Sequence, residues 1–375
     1  MTDALSRRRF GGLLAAAGAA LAGAPAKAAR ASAVAPTSTS APAPAPQASH
    51  AAHPAGKARR LIKPARLRQG DLIGLIAPAG CCTEDEIAKA VGNVGALGFR
   101  VREGKNLRAA YGNYGGSVAQ RLDDLHAMFA DPDIKAIWCV RGGSGAISLL
   151  ASINYALIRA HPKIFIGYSD ITALHLAIHR QAGLVTFHAP LAASTLSAYA
   201  SAHLMAVLTA PQRAYTMPMS DENRERSLQE PQYAIRTVTQ GRATGALMGG
   251  NLSMVSALAG TPYAADFRHC ILFLEEVNEA PYRIDRWLTQ LDLAVGLSKA
   301  AALMIGVCEQ CGPGDDERSL TLDQTFDLHL QPLLIPAVTG YSIGHIRHQI
   351  TLPIGVNARL DTASQTLTLL EPGVL

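Results

Sequence analysis

The sequence predicts an α/β protein in which a domain built on a parallel sheet is followed by a smaller, β-rich α+β domain. In residues 66–195, short apolar strands alternate with amphipathic helices of roughly 10–15 residues, which is typical of a parallel sheet with both faces covered. From residue 241 to the end, short strands and glycine-containing turns dominate instead. A chain of 375 residues is long enough for two such domains.

The elements of the first domain follow from apolar runs and helix caps. Thr83 with Glu86, and Ser117 with Gln120, are Ser/Thr–x–x–Glu/Gln capping boxes, which mark the start of helices. Each predicted strand is a short apolar run bounded by Gly, Pro or polar residues. The strands are expected at 71–77, 99–102, 134–140 and 163–167, and the helices at 83–97, 117–129 and 170–181.

A linker is predicted between the two domains, over residues 196–240. Three prolines and the polar run 220–230 interrupt the strand–helix rhythm there. In the second domain, residues 241–375, strands are expected at 245–250, 270–275, 301–307, 336–340 and 349–352, with helices at 252–259 and 284–291.

The N-terminus has the pattern of an export signal. Arg7 and Arg8 form a twin arginine, an apolar run of about 15 residues follows, and Ala26-Lys27-Ala28 resembles a cleavage site. The sequence therefore predicts a twin-arginine signal peptide over 1–28 and a periplasmic destination, the alternative being a basic leader kept in the cytosol. Residues 29–65, rich in Ala, Pro and Ser, are predicted to be a disordered tether.

The charge distribution argues against nucleic-acid binding. Although the chain carries a net charge of +5, eleven of its 34 Lys and Arg residues and only one of its 29 acids lie in residues 1–68. The remaining body is therefore mildly acidic and offers no basic track for phosphates. No segment after the leader is long and apolar enough for a stable membrane span. Whether the protein forms a homodimer is left open.

Metal binding is weakly supported. Cys308 and Cys311 form a single CxxC, and His175 and His179 lie four residues apart on a predicted helix, but neither pair has the partners of a known zinc motif. Buried cysteines and core or surface histidines are the favoured interpretation. No metal and no cofactor are expected, and the redox state of the cysteine pair is left open.

Ser169 is the first candidate for chemistry. It lies in Gly167-Tyr168-Ser169-Asp170, between a predicted strand and a predicted helix. A serine on such a turn is exposed above the sheet, and the helix N-terminus offers free N–H groups to a developing oxyanion. Alternatively, Ser169 or Asp170 is only a helix N-cap.

A glycine-rich loop at residues 141–145 follows the preceding strand. Its sequence, Arg-Gly-Gly-Ser-Gly, matches neither nucleotide-binding fingerprint, so phosphate binding is weakly supported. Because the carboxyl ends of parallel strands meet at one sheet edge, this loop is expected beside Ser169, where its N–H groups could complete an oxyanion hole.

An acid and a base are available in the second domain. Glu275 and Glu276 end a predicted strand, so one is expected to face inward and the other solvent, unless both are surface residues. His345 lies in a polar loop and could act as a general base, although a loop histidine is more often a surface residue.

Taken together, these segments resemble the LD-carboxypeptidase (muramoyltetrapeptide carboxypeptidase) family, the serine peptidase group that includes the microcin C self-immunity proteins. The resemblance covers nearly all of residues 70–372. It rests on seven ordered blocks, among them Arg141-Gly-Gly-Ser-Gly145, Gly167-Tyr-Ser-Asp-Ile-Thr172, Met248-Gly-Gly-Asn-Leu252, Phe273-Leu-Glu-Glu-Val277 and Gly344-His345.

The resemblance implies a role for each site residue. Ser169 would be the nucleophile, His345 the base and Glu275 the acid that orients it. The oxyanion hole would use Asp170 with Gly142 or Gly143. Further residues of the matched blocks, Arg141, Asn251 and Arg283, become candidate substrate contacts. Two positions depart from the family pattern. Asp is common at position 276, where this chain has Glu, so the choice of Glu275 over Glu276 depends on motif alignment. At position 144 this chain has Ser where the family often carries an aromatic residue.

The resemblance also implies the fold and the reaction. The fold would be a Rossmann-like N-terminal domain and a β-rich C-terminal domain, with the site between them. The enzyme would cleave the L,D-amide bond to the C-terminal D-alanine of a murein tetrapeptide through an acyl-enzyme. The alternatives are a same-family amidase that inactivates a peptidyl-nucleotide antibiotic, an α/β-hydrolase esterase and a non-catalytic murein-binding protein.

Overall fold

Two β-sheets with helices around them form the body of the protein. In the computed structural model, the residues described are 61–314 and 318–375. The predicted signal peptide and residues 29–60 of the predicted tether lie outside the described residues. The parallel-sheet domain and the β-rich domain predicted from the sequence are both present, each with its own sheet.

The first sheet has six strands in the order β12-β5-β4-β3-β1-β2. Its first five strands in the chain pair in parallel, and only the edge strand β12 is antiparallel. β12 comes from near the C-terminus, so the end of the chain returns to complete the N-terminal sheet. The strands are β1 (Leu72–Ile76), β2 (Arg100–Glu103), β3 (Ile134–Cys139), β4 (Ile164–Gly167), β5 (Phe187–His188) and β12 (Leu352–Pro353).

The helices of this domain connect successive strands, as expected for right-handed parallel crossovers. Both predicted capping boxes are confirmed at their N-termini: the Oγ1 of Thr83 accepts from the N–H of Glu86, whose carboxylate accepts from the N–H of Thr83, and Ser117 and Gln120 are paired likewise. The helices are α1 (Glu84–Ala96), α2 (Val118–Ala130), α3 (Tyr155–Ala160) and α4 (Thr172–Ala182).

The second sheet has eight strands in the order β6-β14-β13-β8-β9-β10-β11-β7. Its centre, β8 to β11, is parallel, and antiparallel strands flank it on both sides. With eight strands against six, it is the larger sheet, although the second domain was expected to be the smaller. The strands are β6 (Tyr215–Met217), β7 (Arg236–Thr239), β8 (Arg242–Asn251), β9 (Ile271–Glu275), β10 (Ala302–Gly306), β11 (Ala337–Tyr341), β13 (Asn357–Asp361) and β14 (Thr366–Leu369).

The predicted linker contains regular structure. Residues 196–240 form helices and two strands, β6 and β7, that lie at the two edges of the second sheet. Proline and polar composition suggested irregular chain, but the three prolines, at positions 211, 218 and 231, lie outside both strands and interrupt only the segments around them. The remaining helices are α5 (Ala198–Thr209), α6 (Asp221–Arg226), α7 (Leu252–Leu258), α8 (Pro281–Val295) and α9 (Leu322–Leu330).

The end of the predicted tether is also ordered. Residues 61–65 pack on the body: Ile62 bridges to Leu184, and Lys63 forms an ion pair of 2.7 Å with Glu371. The prediction of disorder up to residue 65 was therefore wrong for these five residues, because composition does not reveal contacts with distant segments. Within the described residues, no helix has both the length and the apolar character needed to cross a bilayer.

Candidate active site

Ser169 is presented by a tight turn at the carboxyl end of β4. The strand is fully buried, and a single turn of 3₁₀-helix, Ser169–Ile171, leads directly into α4. Ser169 has a backbone φ of 64°, in the left-handed region that only a few per cent of non-glycine residues adopt. This conformation lifts the side chain off the sheet edge, as in a nucleophile elbow.

A chain of hydrogen bonds joins Ser169 to His345 and Glu275. The Nε2 of His345 lies 3.0 Å from the Oγ of Ser169, and its Nδ1 lies 2.8 Å from the Oε2 of Glu275. The carboxylate of Glu275 accepts a hydrogen bond from Nδ1–H, which leaves Nε2 free to accept a hydrogen bond from the serine hydroxyl. This is the geometry of a serine nucleophile with an oriented general base.

The electrostatics of the pair favour a charged carboxylate beside the imidazole. Glu275 is completely buried, and burial opposes its ionisation, but the attraction and hydrogen bond of His345 outweigh this and lower its pKa. Burial also acts to lower the pKa of His345, but the carboxylate of Glu275 raises it above the usual histidine value. His345 is therefore a stronger base than a free histidine.

The second sheet brings the acid and the base together. Glu275 is the last residue of β9, and His345 follows β11, two strands away with β10 between them. Gly344 has a φ of 123°, and a Cβ added there would lie 2.6 Å from the carbonyl oxygen of Val307 and 3.3 Å from the Cβ of Glu275. Only glycine allows the His345 loop to approach Glu275 this closely.

Glu276 has a different function from its neighbour. Its Oε1 accepts from the amide of Asn251 at 2.8 Å, and its Oε2 accepts from the N–H of Ser253 at 2.9 Å, in the first turn of α7. It is 4% exposed, so the expectation that one of the two acids faces solvent was wrong. Both are buried, because β9 ends between His345 and the N-terminus of α7. The carboxylate of Glu275 bonds the histidine, and that of Glu276 bonds the first turn of the helix.

The glycine-rich loop does lie beside the serine. A Cβ added at Gly142 would lie 2.9 Å from the Cβ of Ser169 and 3.1 Å from its Oγ. The Oδ2 of Asp170 accepts from the N–H of Ala146 at 2.8 Å, which ties this loop to the serine turn. Among the described hydrogen bonds, the N–H groups of Gly142 and Gly143 have no acceptor. They are thus available to a ligand near Ser169.

The candidate substrate residues differ in their surroundings. Arg141 begins the glycine-rich loop and forms an ion pair of 3.2 Å with Glu86. Asn251 caps α7 and bonds Glu276, so internal contacts occupy its side chain. Arg283 is exposed and pairs with Glu279 at 3.0 Å, and no described contact joins it to the triad. Of the three, Arg141 alone belongs to the loop that contacts Ser169.

The histidine and cysteine pairs that could have suggested a metal site lie within the packed body of the protein. His175 is buried and donates through Nε2 to the carbonyl oxygen of Gly167 at 2.8 Å. Burial lowers the pKa of His175 to about 3 and that of His179 to about 4, so both are neutral. All six cysteines are free thiols, and Cys308 and Cys311 are buried. In residues 61–314 and 318–375, no three potential metal ligands cluster.

Two aromatic neighbours of the triad were not predicted. The ring of Tyr168 packs edge-on against His345, with centroids 4.7 Å apart, and against a further buried ring, His188, at 5.9 Å. Tyr168 directly precedes Ser169 in the chain, and this adjacency was the sequence feature that could have predicted its place beside the triad. His188 ends the two-residue strand β5, which is too short for periodicity to reveal.

Comparison with known proteins agrees with this architecture. The LD-carboxypeptidase N-terminal domain family matches residues 73–189, and the LD-carboxypeptidase C-terminal domain family matches residues 244–360. The first match contains Ser169, and the second contains Glu275 and His345.

Similar sequences belong to bacterial proteins named as carboxypeptidases. The "Probable murein peptide carboxypeptidase" of Bacillus subtilis is 38% identical over 312 residues, which cover 83% of this chain and 95% of that protein. The "Murein tetrapeptide carboxypeptidase" of Pseudomonas aeruginosa is 30% identical over 77% of this chain and 92% of its own length.

Solved structures show the same fold. An MccF-like protein from Bacillus anthracis, 27% identical, superimposes with a TM-score of 0.73 over 82% of this chain and 99% of its own. A muramoyltetrapeptide carboxypeptidase from Oxalobacter formigenes, also 27% identical, gives a TM-score of 0.68 over 80% and 97%. With both domain families matched in order, this chain belongs to the LD-carboxypeptidase family of serine peptidases.

Proposed function

We propose that this protein is a serine carboxypeptidase that removes the C-terminal D-alanine of murein tetrapeptides by cleaving the L,D-amide bond. The observation that carries the proposal is the hydrogen-bonded chain from Ser169 through His345 to the buried Glu275. The names of the similar proteins from Bacillus subtilis and Pseudomonas aeruginosa support murein peptides as the substrate class.

The geometry suggests a two-step reaction through an acyl-enzyme. His345 accepts the hydroxyl proton of Ser169 as its oxygen attacks the carbonyl carbon of the scissile amide. The imidazolium, stabilised by Glu275, then donates that proton to the departing amine of D-alanine. In the second step His345 takes a proton from the water that attacks the acyl-enzyme, and it returns this proton to the Oγ of Ser169 as the ester bond breaks and the tripeptide is released.

Backbone N–H groups are suited to stabilise the oxyanion of each step. The N–H of Asp170 lies at the N-terminal end of the helix that follows the nucleophile, and Gly142 abuts the serine side chain. Such donors act on the charge that develops in the transition state, and each is worth about 10²–10³ in turnover. Gly143, exposed and without an acceptor, is the alternative second donor.

The test is incubation of purified murein tetrapeptide with the protein, followed by mass spectrometry. Release of D-alanine and formation of the tripeptide are expected, and the Ser169→Ala variant should release none. An intact tetrapeptide after prolonged incubation with folded wild-type protein would contradict the proposal. A fluorophosphonate probe provides the matched control: it should label wild type but not Ser169→Ala, whereas a non-catalytic murein-binding protein would not be labelled.

A same-family amidase acting on a peptidyl nucleotide is the rival function. The Escherichia coli "Microcin C7 self-immunity protein MccF" is 27% identical over 82% of this chain. Here the hydroxyl of Ser144, in the glycine-rich loop, accepts from the amide of Asn113 at 3.0 Å, so this position offers no aromatic face to a nucleobase. An aspartyl sulfamoyl adenosine is the discriminating substrate, and it should be cleaved poorly compared with the tetrapeptide.

Export by the twin-arginine route is part of the proposal. The twin arginine, the short apolar run and the Ala-Lys-Ala site at residues 26–28 support it. The protein would then act on periplasmic murein peptides.

A further inference from the structure

His188 lies in the centre of the site but has no function in the mechanism above. It is completely buried at the end of β5, next to Gly167 of the strand that leads to the serine. Its ring packs edge-on against Phe273 at 5.2 Å and Tyr168 at 5.9 Å. Phe273 lies two residues before Glu275 on β9, so both side chains point to the same face of that strand.

The buried polar atoms around His188 are incompletely paired. Neither ring nitrogen of His188 has a hydrogen-bond partner among the described residues, and neither does the Oε1 of Glu275. A buried carboxylate oxygen or ring N–H without a partner is unfavourable, and such groups are nearly always paired in folded proteins. His188 and Glu275 lie close enough for the charge of Glu275 to act on the pKa of His188, and the side-chain amide of Asn251 is the other neutral group that helps to lower the pKa of Glu275.

The charge state of His188 suits it to donate to a carboxylate. Burial lowers its pKa to about 4, and the attraction of Glu275 only partly offsets this. At neutral pH the ring is therefore uncharged and carries one N–H. A neutral donor can stabilise the Glu275 carboxylate without cancelling its negative charge. A second imidazolium would weaken the effect of that charge on His345.

We propose that His188 is a positioning residue of the triad. One ring N–H of His188 donates to a single water molecule that in turn donates to the Oε1 of Glu275, and this bridge holds the carboxylate with Oε2 turned towards the Nδ1 of His345. The second oxygen of the carboxylate, Oε2, keeps its hydrogen bond with the Nδ1 of His345. This inference rests on the proposed catalytic roles of Ser169, His345 and Glu275.

Three variants test the proposal. His188→Phe keeps an aromatic ring but removes the donor, so kcat should fall by about tenfold or more while KM changes little, because the bond orients the base and does not touch substrate. His188→Gln keeps a donor and should recover most of the activity. His203→Phe is the matched control: His203 is a buried histidine on α5 that bonds Tyr215, and its loss should leave kcat unchanged.

A double-mutant cycle separates positioning from general destabilisation. If His188 acts through Glu275, His188→Phe should slow fluorophosphonate labelling of Ser169 in the wild-type background but hardly further in Glu275→Gln. An equal loss in both backgrounds, or wild-type kcat in His188→Phe, would overturn the inference. Wild-type protein that neither labels nor releases D-alanine would instead contradict the proposed function.

A measurement on the ring itself does not depend on a folded His188 variant. Two-dimensional ¹H–¹⁵N spectra of wild type should show one protonated ring nitrogen of His188, and its shift should move in Glu275→Gln. A His188 signal that is identical in the two proteins would overturn the inference.

Discussion

Ser169 adopts its left-handed backbone conformation in a short segment that is held from both sides. Such a conformation costs about 1–3 kcal/mol for a residue with a side chain. The buried strand β4 precedes it, and the carboxylate of Asp170 is anchored on the N–H of Ala146. The surrounding contacts therefore maintain a conformation that presents the hydroxyl to His345.

The two adjacent glutamates should respond very differently to amide substitution. Glu275→Gln is expected to reduce kcat by about 10²-fold or more, because an amide favours the wrong imidazole tautomer of His345. Glu276→Gln should mainly lower stability, by about 1–3 kcal/mol, since it disturbs the bonds to Asn251 and Ser253. Steady-state kinetics and thermal unfolding of both variants measure this, and the reverse order would contradict the assignment of Glu275.

The pH profile of kcat/KM should report the raised pKa of His345. The base must be neutral, so activity is lost as pH falls through this pKa, and the midpoint of the acidic limb should lie above the usual histidine value of about 6.5. Glu275→Gln removes the charge that raises this pKa, so the limb should move to lower pH. Glu276→Gln is the control and should move it less. An unmoved limb in Glu275→Gln would argue against the pairing.

At the scale of elements, the site is built from the carboxyl ends of parallel strands. β3 leads into the glycine-rich loop, β4 into Ser169, β9 into Glu275 and β11 into the loop of His345. Parallel pairing of neighbouring strands places these ends at common edges, where ligands bind in α/β proteins. Short loops then suffice to bring the side chains into contact.

The packing of the glycine-rich loop against the serine turn can be tested at Gly142. In Gly142→Ala, the added Cβ would lie 2.9 Å from the Cβ of Ser169, so the loop or the serine must shift. Such a shift should reduce kcat by about 10²-fold while the protein stays folded. The control is Gly92→Ala on α1, where a Cβ meets nothing within 4 Å. It should keep full activity and add about 0.5–1 kcal/mol of stability. Wild-type kcat in Gly142→Ala would contradict the contact.

At the scale of the whole molecule, each sheet supplies part of the site. Ser169 and His345 are separated by 176 residues, yet they share a hydrogen bond. The interface between the sheets is held next to the triad, where the N–H of Asn251 at the end of β8 donates to the Oγ1 of Thr172 on α4 at 3.0 Å. Alignment of the triad therefore depends on how the two domains pack.

Stereochemical selectivity should follow from a site to which both domains contribute side chains. A tetrapeptide ending in D-alanine is expected to be cleaved, and its L-alanine diastereomer should react about 10²-fold more slowly or worse, because the wrong hand displaces the carbonyl from Ser169. A pentapeptide ending in D-alanyl-D-alanine should also resist, since its terminal bond joins two D-centres. Quantifying the released alanine for all three checks this, and comparable rates would indicate a general peptidase.

The leader is expected to export the protein already folded. Replacing Arg7 and Arg8 with Lys should trap the precursor in the cytoplasm, because the pair is the recognised feature of the signal. Fractionation of cells that produce each form, with immunoblotting of the periplasmic fraction, measures this. The matched control replaces Arg59 and Arg60 with Lys, outside the signal, and should leave export intact. Unchanged periplasmic recovery of the Arg7 and Arg8 variant would contradict the proposal.

The sequence by itself determined the order of the main elements and the candidate triad. Strong local signals carry the order of the elements: the capping boxes at Thr83 and Ser117, the apolar strands of the parallel sheet, and the turn at Ser169. The triad was implied by the resemblance of the ordered motif blocks to the LD-carboxypeptidase family. The two edge strands in 196–240 and the short strand β5 could not be predicted. The strand expected at 349–352 in the second domain forms only as β12 (Leu352–Pro353), which pairs with β5 in the first sheet. The formation of these strands depends on partners far along the chain and not on local periodicity.

The resemblance pointed to Glu275, but only the tertiary structure shows why this acid and not Glu276 faces the histidine. Alternation along a strand places Glu275 and Glu276 on opposite sides but does not say what lies on each side. The packing of β9 between the loop of His345 and the start of α7 assigns one carboxylate to the imidazole and the other to the helix. For the same reason the local sequence around His188 gave no sign of its contact with Phe273, two residues before Glu275, because that contact exists only after β5 and β9 pack together.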